Sequence, residues 1–485
     1  MDHDVIVAGG GMAGLITAAS VAKHSKQKLD ILVVDRNSRP EAGKKTINGW
    51  ICGDAVSKRS VDNIAKEIGI KYGKPELEHP VKGVVAYSPN HESKVMFEGE
   101  GYVLNRRLLP LRQVADAEKL GVRFEFGVLI ERLQHDNGFV KGVEGSYVKD
   151  RKPFKKSSKI VIDSSGSASK LRANLPIKSY IQKEIDKDND LESTGRYILE
   201  FERGKKDDTY FDPDYAIIHL DQILAPGGYA WVFPKGQNKV NIGLGVQHRW
   251  LVARNRKIGK NDNLQSLIDQ YIEGNPVIKK HRYPAGEDDA GNVKGNWQVP
   301  VRRQNDCLVA NGYIIIGDAA WMPRPIDAGG IGPSIVASII AGRTVAQALE
   351  GSDTSQESLW SYNVEYMKSY GYQMASFEVL RRYLQTITNE EIDFGMKHFL
   401  SQDDVDKITE REHPGFNKVR MLDPLMWLRI LSRYSLASSL RYTAKKSERL
   451  IEHGQNFPES PKEFPAWHKV HMSELGEAYE RFSKT

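Results

Sequence analysis

Gly9-Gly10-Gly11-Met12-Ala13-Gly14 follows the apolar run Val5-Ile6-Val7-Ala8, and Asp35 closes a second run, Ile31-Leu32-Val33-Val34, 21 residues after Gly14. A strand, a glycine turn, a helix and a second strand ending in an acid is the order a dinucleotide-binding βαβ unit requires. Gly9 permits the tight turn, Gly11 lets the backbone approach a pyrophosphate, and Gly14 lets the helix pack closely on the strand. The helix start at Met12 and Ala13 offers unpaired N–H groups and a positive dipole end to phosphate. Asp35, with Arg36 beside it, stands where a carboxylate accepts hydrogen bonds from a ribose.

The chain has 485 residues, 40% hydrophobic and 27% charged, with a net charge of +6. That balance describes a soluble globular protein of two or three lobes with a sizeable core. Two cysteines, Cys52 and Cys307, make no disulfide framework and suit a reducing cytoplasm. The first strand begins by residue 4, so no leader is expected. No apolar run approaches the ~18 residues of a membrane span. The 13 histidines show no HxxxH or HExxH spacing, so no metal site is expected. The small basic excess gives no reason to expect nucleic acid as a partner.

Along the chain, residues 1–35 read as βαβ. A strand and a helix from about Leu108 to Leu120 fill Gly101–Gly121, and Val122–Phe126 alternates as a strand. Lys159–Asp163 is a strand running into Ser164-Ser165-Gly166, while the charged stretch 182–209 is expected to be surface and linker. Tyr229–Pro234 and Lys239–Val246, joined by Lys235-Gly236-Gln237-Asn238, carry a hairpin signature. Gly312–Ile316 is a buried strand ending at Gly317-Asp318. A small-residue helix follows over Gly330–Leu349, and from Ser358 onward the pattern is helical.

One dinucleotide turn does not separate NAD from FAD; two later segments do. A carboxylate at a strand end, Asp318, can hold sugar-like hydroxyls such as those of a ribityl chain. Gly329-Gly330-Ile331-Gly332, opening a helix, can bind phosphate or a ring edge. Asp163–Arg172 supplies a third strand-turn beside the first. In this order and spacing the three segments resemble the FAD domain of the para-hydroxybenzoate hydroxylase superfamily. Tyr229-x-Trp231-x-Phe233-Pro234, then Asn241-x-Gly243-x-Gly245, and Cys52-Gly53 after the first βαβ unit, are similar to the geranylgeranyl reductase family. The resemblance covers roughly residues 1–350.

The resemblance implies an α/β fold, α+β in its second lobe. A Rossmann-type FAD-binding domain would draw on residues 1–60, 100–180 and 290–350, a sheet-containing substrate domain on 61–99 and 181–289, and a helical C-terminal domain on 351–485. It implies FAD contacted by Gly9, Gly11, Met12, Ala13, Gly14, Asp35, Arg36, Cys52, Gly53, Arg106, Gly317, Asp318, Gly329, Gly330 and Ile331. It implies reduction of isoprenoid C=C bonds, in the archaeal branch on geranylgeranyl chains of ether lipids, with NADPH, ferredoxin or a deazaflavin as external donor. Ser165 stands where the hydroxylases carry an Asp that helps bind the nicotinamide donor, which favours the reductase branch. Leu109-Pro110 replaces the Phe-Asp that usually follows the arginine at the position of Arg106.

An isolated trisubstituted alkene has no conjugated carbonyl to polarise it. A site that reduces it must bring a hydride from reduced flavin N5 and a proton to opposite carbons in a dry, close-fitting cavity. Tyr229, Trp231 and Phe233 share one strand face by period two; with Pro234 they are the candidate substrate wall, the plain alternative being an ordinary core face. Cys52 is a candidate proton donor or gate, the plain alternative being a small buried hydrophobe. Cys52, Tyr229 and Trp231 are the candidate catalytic residues. Contact between Cys52 and Cys307 is a further hypothesis.

Residues 415–450 hold eight Lys/Arg against Asp423 and Glu448, among apolar residues that include Met421, Leu425 and Trp427, and Asp423-Pro424 suits a helix start. They are a candidate surface for anionic lipid or substrate phosphate, against a helix packed on the body with solvated charges. The rival readings are a flavin-dependent aromatic monooxygenase or halogenase of the same fold, and a prenyl-lipid-binding carrier that has lost FAD. The expected location is the cytoplasm, with the inner membrane face as a peripheral docking surface.

Overall fold

The computed structural model describes residues 1–40, 52–284, 293–399 and 433–483. From the N-terminus run β1 (His3–Ala8), α1 (Met12–His24), β2 (Ile31–Asp35), β3 (Ala55–Ser57), α2 (Lys58–Glu67), β4 (Leu77–Tyr87) and β5 (Lys94–Leu104). Next come α3 (Leu109–Lys119), β6 (Arg123–Phe126), β7 (Val128–Asp136), β8 (Phe139–Tyr147), β9 (Pro153–Asp163), α4 (Lys170–Ala173) and α5 (Lys187–Asp190). Then follow β10 (Leu191–Arg203), β11 (Tyr215–His219), β12 (Ala230–Pro234), β13 (Lys239–Val246), α6 (His248–Ile258), α7 (Leu264–Gly274), β14 (Ile278–Arg282) and β15 (Lys294–Pro300). After β16 (Val309–Ala310) and β17 (Tyr313–Ile315) the described chain is helical: α8 (Ile331–Glu350), α9 (Gln356–Ser369), α10 (Met374–Leu384), α11 (Asn389–His398), α12 (Tyr434–Gln455) and α13 (Phe464–Arg481).

Val5, Ile6, Val7 and Ala8 are all buried because β1 is covered on both faces, as the middle of a parallel sheet is. The first sheet runs β16-β17-β9-β1-β2-β6, with β7 and β8 attached beside β9. Ala8 lies opposite Val34 of β2 and Asp163 of β9, and Ile315 of β17 also pairs with Asp163. Four carboxyl strand ends therefore converge on the Gly9 turn, the crevice where doubly wound sheets take their ligands. Small residues let α1 and α8 close on each other. Ser338 Oγ donates to Ala13 O at 2.9 Å and Ser20 Oγ to Ile339 O at 3.1 Å, and a Cβ on Gly342 would lie 2.2 Å from Ser20 Oγ.

The second sheet runs β14-β10-β13-β12-β11-β4-β5-β3, with β15 on β10. On one face Tyr197, Leu199, Val232, Ile242 and Leu244 pack against Leu267, Ile268 and Tyr271 of α7, a helix opened by an Asn263–Ser266 capping box. The other face carries a second apolar cluster, with Val81, Val103, Trp231 and Phe233.

The expected surface linker at 182–209 is instead largely β10, paired with β13, β14 and β15. Tyr197, Leu199 and Phe201 are buried while Glu200, Glu202 and Arg203 alternate with them or follow. The period of two was present, and the density of charge hid it. Residues 415–432, with Asp423-Pro424 and Arg429, lie outside the described residues. Arg433 precedes α12 and Arg441 lies on it; the same helix buries Lys446, whose Nζ donates to Glu474 and Glu477 at 2.5 and 2.7 Å. Among the described residues no helix is long and apolar enough to cross a membrane.

Candidate functional site

The glycine turn separates into two physical roles. A Cβ on Gly14 would lie 2.0 Å from Gly9 O, and one on Gly9 (φ +110°) 2.4 Å from Ser164 O, so both are glycine for the fold's own packing. Gly11, at the N-cap of α1, would meet nothing within 4 Å. Its missing side chain leaves open space at a helix N-terminus that no side chain caps, the form of a phosphate cradle. Asp35 takes the Gly10 N–H at 2.5 Å and the Asn37 N–H at 2.7 Å, and burial pushes its carboxyl above the usual range. Arg36 is exposed, with its guanidinium 6.0 Å from the Trp297 ring.

Across the crevice, Gly317 (φ +60°) approaches α1 so closely that a Cβ would sit 2.9 Å from that of Ala13. Asp318 follows, and its carboxyl makes no hydrogen bond to any described residue. Burial pushes it up to about 6, against the pull of Arg106. It looks onto the start of α8, where a Cβ on Gly330 would be 3.5 Å from Asp318 Oδ1. Met12, Gly329 and Ile331 are all part-exposed around this crevice. An open backbone cradle at Gly11, a carboxylate at Asp318 with no hydrogen bond to a described residue, and the charge of Arg106 acting on it fit the pyrophosphate and polyol of FAD.

The second sheet closes over the crevice with the candidate wall. Trp231 and Phe233 are buried and Tyr229 part-buried; ring centroids step 6.0 Å from Tyr229 to Trp231 and 6.1 Å on to Phe233. Tyr229 OH donates to Asp327 O at 2.6 Å, tying the wall to the loop before α8. Asp327 also pairs with Arg324, raising that guanidinium's pKa. Gly53 presses against the wall: a Cβ there would lie 2.9 Å from Phe233 Cε2.

A buried polar hub fixes this arrangement. Asn241 Oδ1 accepts from Trp231 Nε1 at 2.9 Å, and its Nδ2 donates to Cys52 O and Asp54 Oδ2, each at 2.9 Å. Lys235 Nζ joins Asp54 at 3.3 Å, Glu78 at 2.9 Å and Leu104 O at 2.5 Å. Cys52 Sγ accepts from Asp54 N at 3.3 Å, and burial holds its thiol above the usual range despite Arg106 and Arg196. Cys52 is thus a neutral thiol, and the charge of Arg106 acts on both it and Asp318. The hypothesised approach of Cys307 is not seen: both cysteines are free, and Cys307 Sγ donates to Val309 O inside the first core.

Several site residues escaped the sequence reading. Asp54 and Lys235 join across 181 residues, for which no local pattern exists. Glu192 and Arg196 lie on β10, where an inward alternation with period two was the available signal.

The geranylgeranyl reductase catalytic domain family matches residues 175–283, which span β10 to β14 and the whole aromatic wall. The chain is 31% identical over 473 residues to a protein named digeranylgeranylglycerophospholipid reductase from Sulfolobus acidocaldarius, covering 97% of this chain and 96% of that one. A protein of the same name from Methanothrix thermoacetophila is 28% identical over 416 residues, 85% of this chain and 94% of its own. Among solved structures, a geranylgeranyl bacteriochlorophyll reductase-like protein from Thermoplasma acidophilum matches with a TM-score of 0.69 at 24% identity, over 91% of this chain and 99% of that one. A myxobacterial chondrochloren halogenase, described as FAD-dependent, matches at 0.57 and 15% identity, over 77% and 83%. The fold is that of the para-hydroxybenzoate hydroxylase type. Identity sustained from end to end, with the catalytic-domain match lying on the sheet that roofs the crevice, means that the chain belongs to the geranylgeranyl reductase family.

Proposed function

We propose that this chain saturates the carbon–carbon double bonds of geranylgeranyl chains on archaeal-type ether lipids. The observation that carries the reading is 31% identity across 97% of the chain to a reductase named for that lipid. The protein is an FAD-dependent oxidoreductase acting on C=C bonds. FAD, when bound, supplies the hydride.

The chain's own residues bind, orient and dry the site. Gly11 and the start of α1 would hold the pyrophosphate, Asp35 the ribose, and Asp318 with Arg106 the polyol; Gly329, Gly330 and Ile331 would hold the rest of the cofactor. Tyr229, Trp231, Phe233 and Pro234 form one wall of the prenyl channel. Trp231 is held by Asn241 and Tyr229 by Asp327 O, so neither ring swings into the channel. Cys52, a neutral thiol, is tied to the wall through Asn241, which binds both its carbonyl and Trp231. Aromatic faces stabilise partial positive charge at the more substituted carbon by about 0.5–2 kcal/mol each. The discontinuous FAD domain, the roofing sheet domain and the helical C-terminal domain divide the work.

Dithionite-reduced holoprotein is incubated without oxygen with geranylgeranylated glycerol phosphate lipid, and the extract is weighed by mass spectrometry. Products heavier by multiples of two hydrogens are expected. Unchanged lipid masses beside a normal bound-FAD spectrum would overturn the reading.

A further inference from the structure

Glu192 is the second residue of β10, 4% exposed, and its carboxyl makes neither a hydrogen bond nor an ion pair with any described residue. Such a group is costly to bury, and its position explains how it is accommodated. A Cβ on Gly245 would lie 1.7 Å from Glu192 Oε1, and one on Gly228 would lie 2.8 Å from the same atom. Two glycines therefore carve the slot that the carboxyl fills.

Strand register says which face the slot opens on. Thr194 pairs with Gly245 and Arg196 with Gly243, so Glu192, Thr194 and Arg196 project together. A Cβ on Gly243 would lie 2.6 Å from Trp231 Cζ2, which puts Gly243, Gly245 and Trp231 on that same face. The carboxyl thus shares the face of the aromatic wall, opposite the face packed on α7. The charged and titratable groups acting around it are Arg381 on α10, which is ion-paired with Asp190, and Tyr229 at the head of β12; Tyr229 also feels Cys52, Asp327 and Arg324.

We propose that Glu192 is the acid that delivers the proton completing reduction of the double bond; the assignment rests on the functional reading above. The Glu192 Oε–H bond breaks as the alkene π pair forms a C–H bond at one carbon. The neighbouring carbon would take the hydride, with its two electrons, that reduced FAD would supply when bound. The carboxylate left behind regains a proton from water. Burial pushes the Glu192 carboxyl up to about 7, against the pull of Arg381, so a proton is held there near neutrality. Cys52 is the weaker acid, since burial raises its thiol above its ordinary 9.0.

The test compares wild-type holoprotein with the variants Glu192→Gln and Glu192→Asp. Infrared difference spectra, recorded without substrate, should show a protonated carboxyl band that disappears as pH rises through about 7 and is missing from Glu192→Gln. Glu192→Gln should keep its FAD spectrum and lose about 100-fold or more in the rate of lipid reduction, the scale of a lost general acid. Glu192→Asp should recover part of that rate and the alkaline fall in the pH profile. Wild-type protein that leaves the chains unreduced overturns the functional reading. Wild-type protein that reduces them, beside a Glu192→Gln variant equally fast and with the same alkaline limb, overturns the assignment of Glu192 alone.

Discussion

Asn241 is wholly buried, and its one side chain holds both the aromatic wall and the Cys52 loop. Replacing it with Leu keeps its approximate volume and removes three hydrogen bonds, all at 2.9 Å. Asp54 Oδ2 retains Lys235, but the Trp231 N–H and the Cys52 carbonyl lose these partners. Two buried orphans at about 1–3 kcal/mol each, partly offset by the more favourable burial of Leu, leave a net cost of about 2–3 kcal/mol. Urea denaturation of the holoprotein measures it. Thiol labelling locates it: Cys52 should react roughly 30- to 150-fold faster in the native protein if the loss appears as local opening, at 1.4 kcal/mol per factor of ten. Cys307, which is 0% exposed and anchored elsewhere, is the internal control and should not change. A stability loss under about 0.5 kcal/mol, the range of surface substitutions, with unchanged Cys52 labelling, would refute the idea that this hub fixes the site.

The two glycine roles should separate on mutation. Gly11→Ala should leave apoprotein stability within about 0.5 kcal/mol of wild type while lowering FAD affinity tenfold or more, because its Cβ meets no protein atom within 4 Å and would enter the space proposed for the pyrophosphate. Gly14→Ala should destabilise the apoprotein itself, its Cβ falling 2.0 Å from Gly9 O; flavin titration and thermal melting together discriminate the two. Glu192 has a carboxyl raised from 4.5 to about 7 in the folded chain, so the stability of its protonated form is fully present below about pH 4.5 and lost as pH rises through 7. Glu192→Gln should therefore match wild type at pH 4.5 and exceed it by up to about 3 kcal/mol at pH 8, at 1.36 kcal/mol per pKa unit. Urea midpoints at the two pH values report this, and a difference that does not move with pH counts against burial of the charge. Glu378, held below its ordinary range by Arg303 and Arg382 despite burial, contributes stability that is lost as pH falls below 4.5. Glu378→Gln should cost about 3–5 kcal/mol at pH 7, since both guanidinium partners stay buried.

How much of this was legible in the chain depends on the range of the interaction. The βαβ unit and the hairpin were readable because apolar runs, turn glycines and period-two aromatics are local. The helix at α8 was readable from its glycine start and small residues. A strand whose outward positions are charged is harder to read: the charge density of β10 resembles a linker and masks its period-two alternation. The candidate site divides the same way. Contiguous motifs put their residues forward as candidates, whereas Asp54, Lys235, Glu192 and Arg196 acquire meaning only when register brings distant segments to one face.

The same distinction bears on the C-terminal helices, which carry no recognisable motif and yet grip the site at two places. Arg381 Nη1 donates to Asn189 O at 2.8 Å and Arg382 Nη2 meets Asp190 Oδ1 at 2.6 Å, holding the start of β10 two residues before Glu192. Gln385 Nε2 donates to Gly227 O at 2.6 Å, holding the loop that leads into Tyr229. Arg381, Arg382 and Gln385 lie at the end of α10, whose Glu378 is locked to Arg303 and to Tyr479 of α13. Buried ion pairs of this kind add little net stability over apolar packing, since desolvation offsets most of their attraction. Their geometry, by contrast, is demanding, because a guanidinium shifted out of register leaves a buried charge uncompensated. The network therefore acts on position more than on stability. It sets where the segments on either side of Glu192 can lie, so that α10 positions the aromatic wall through Asn189, Asp190 and Gly227.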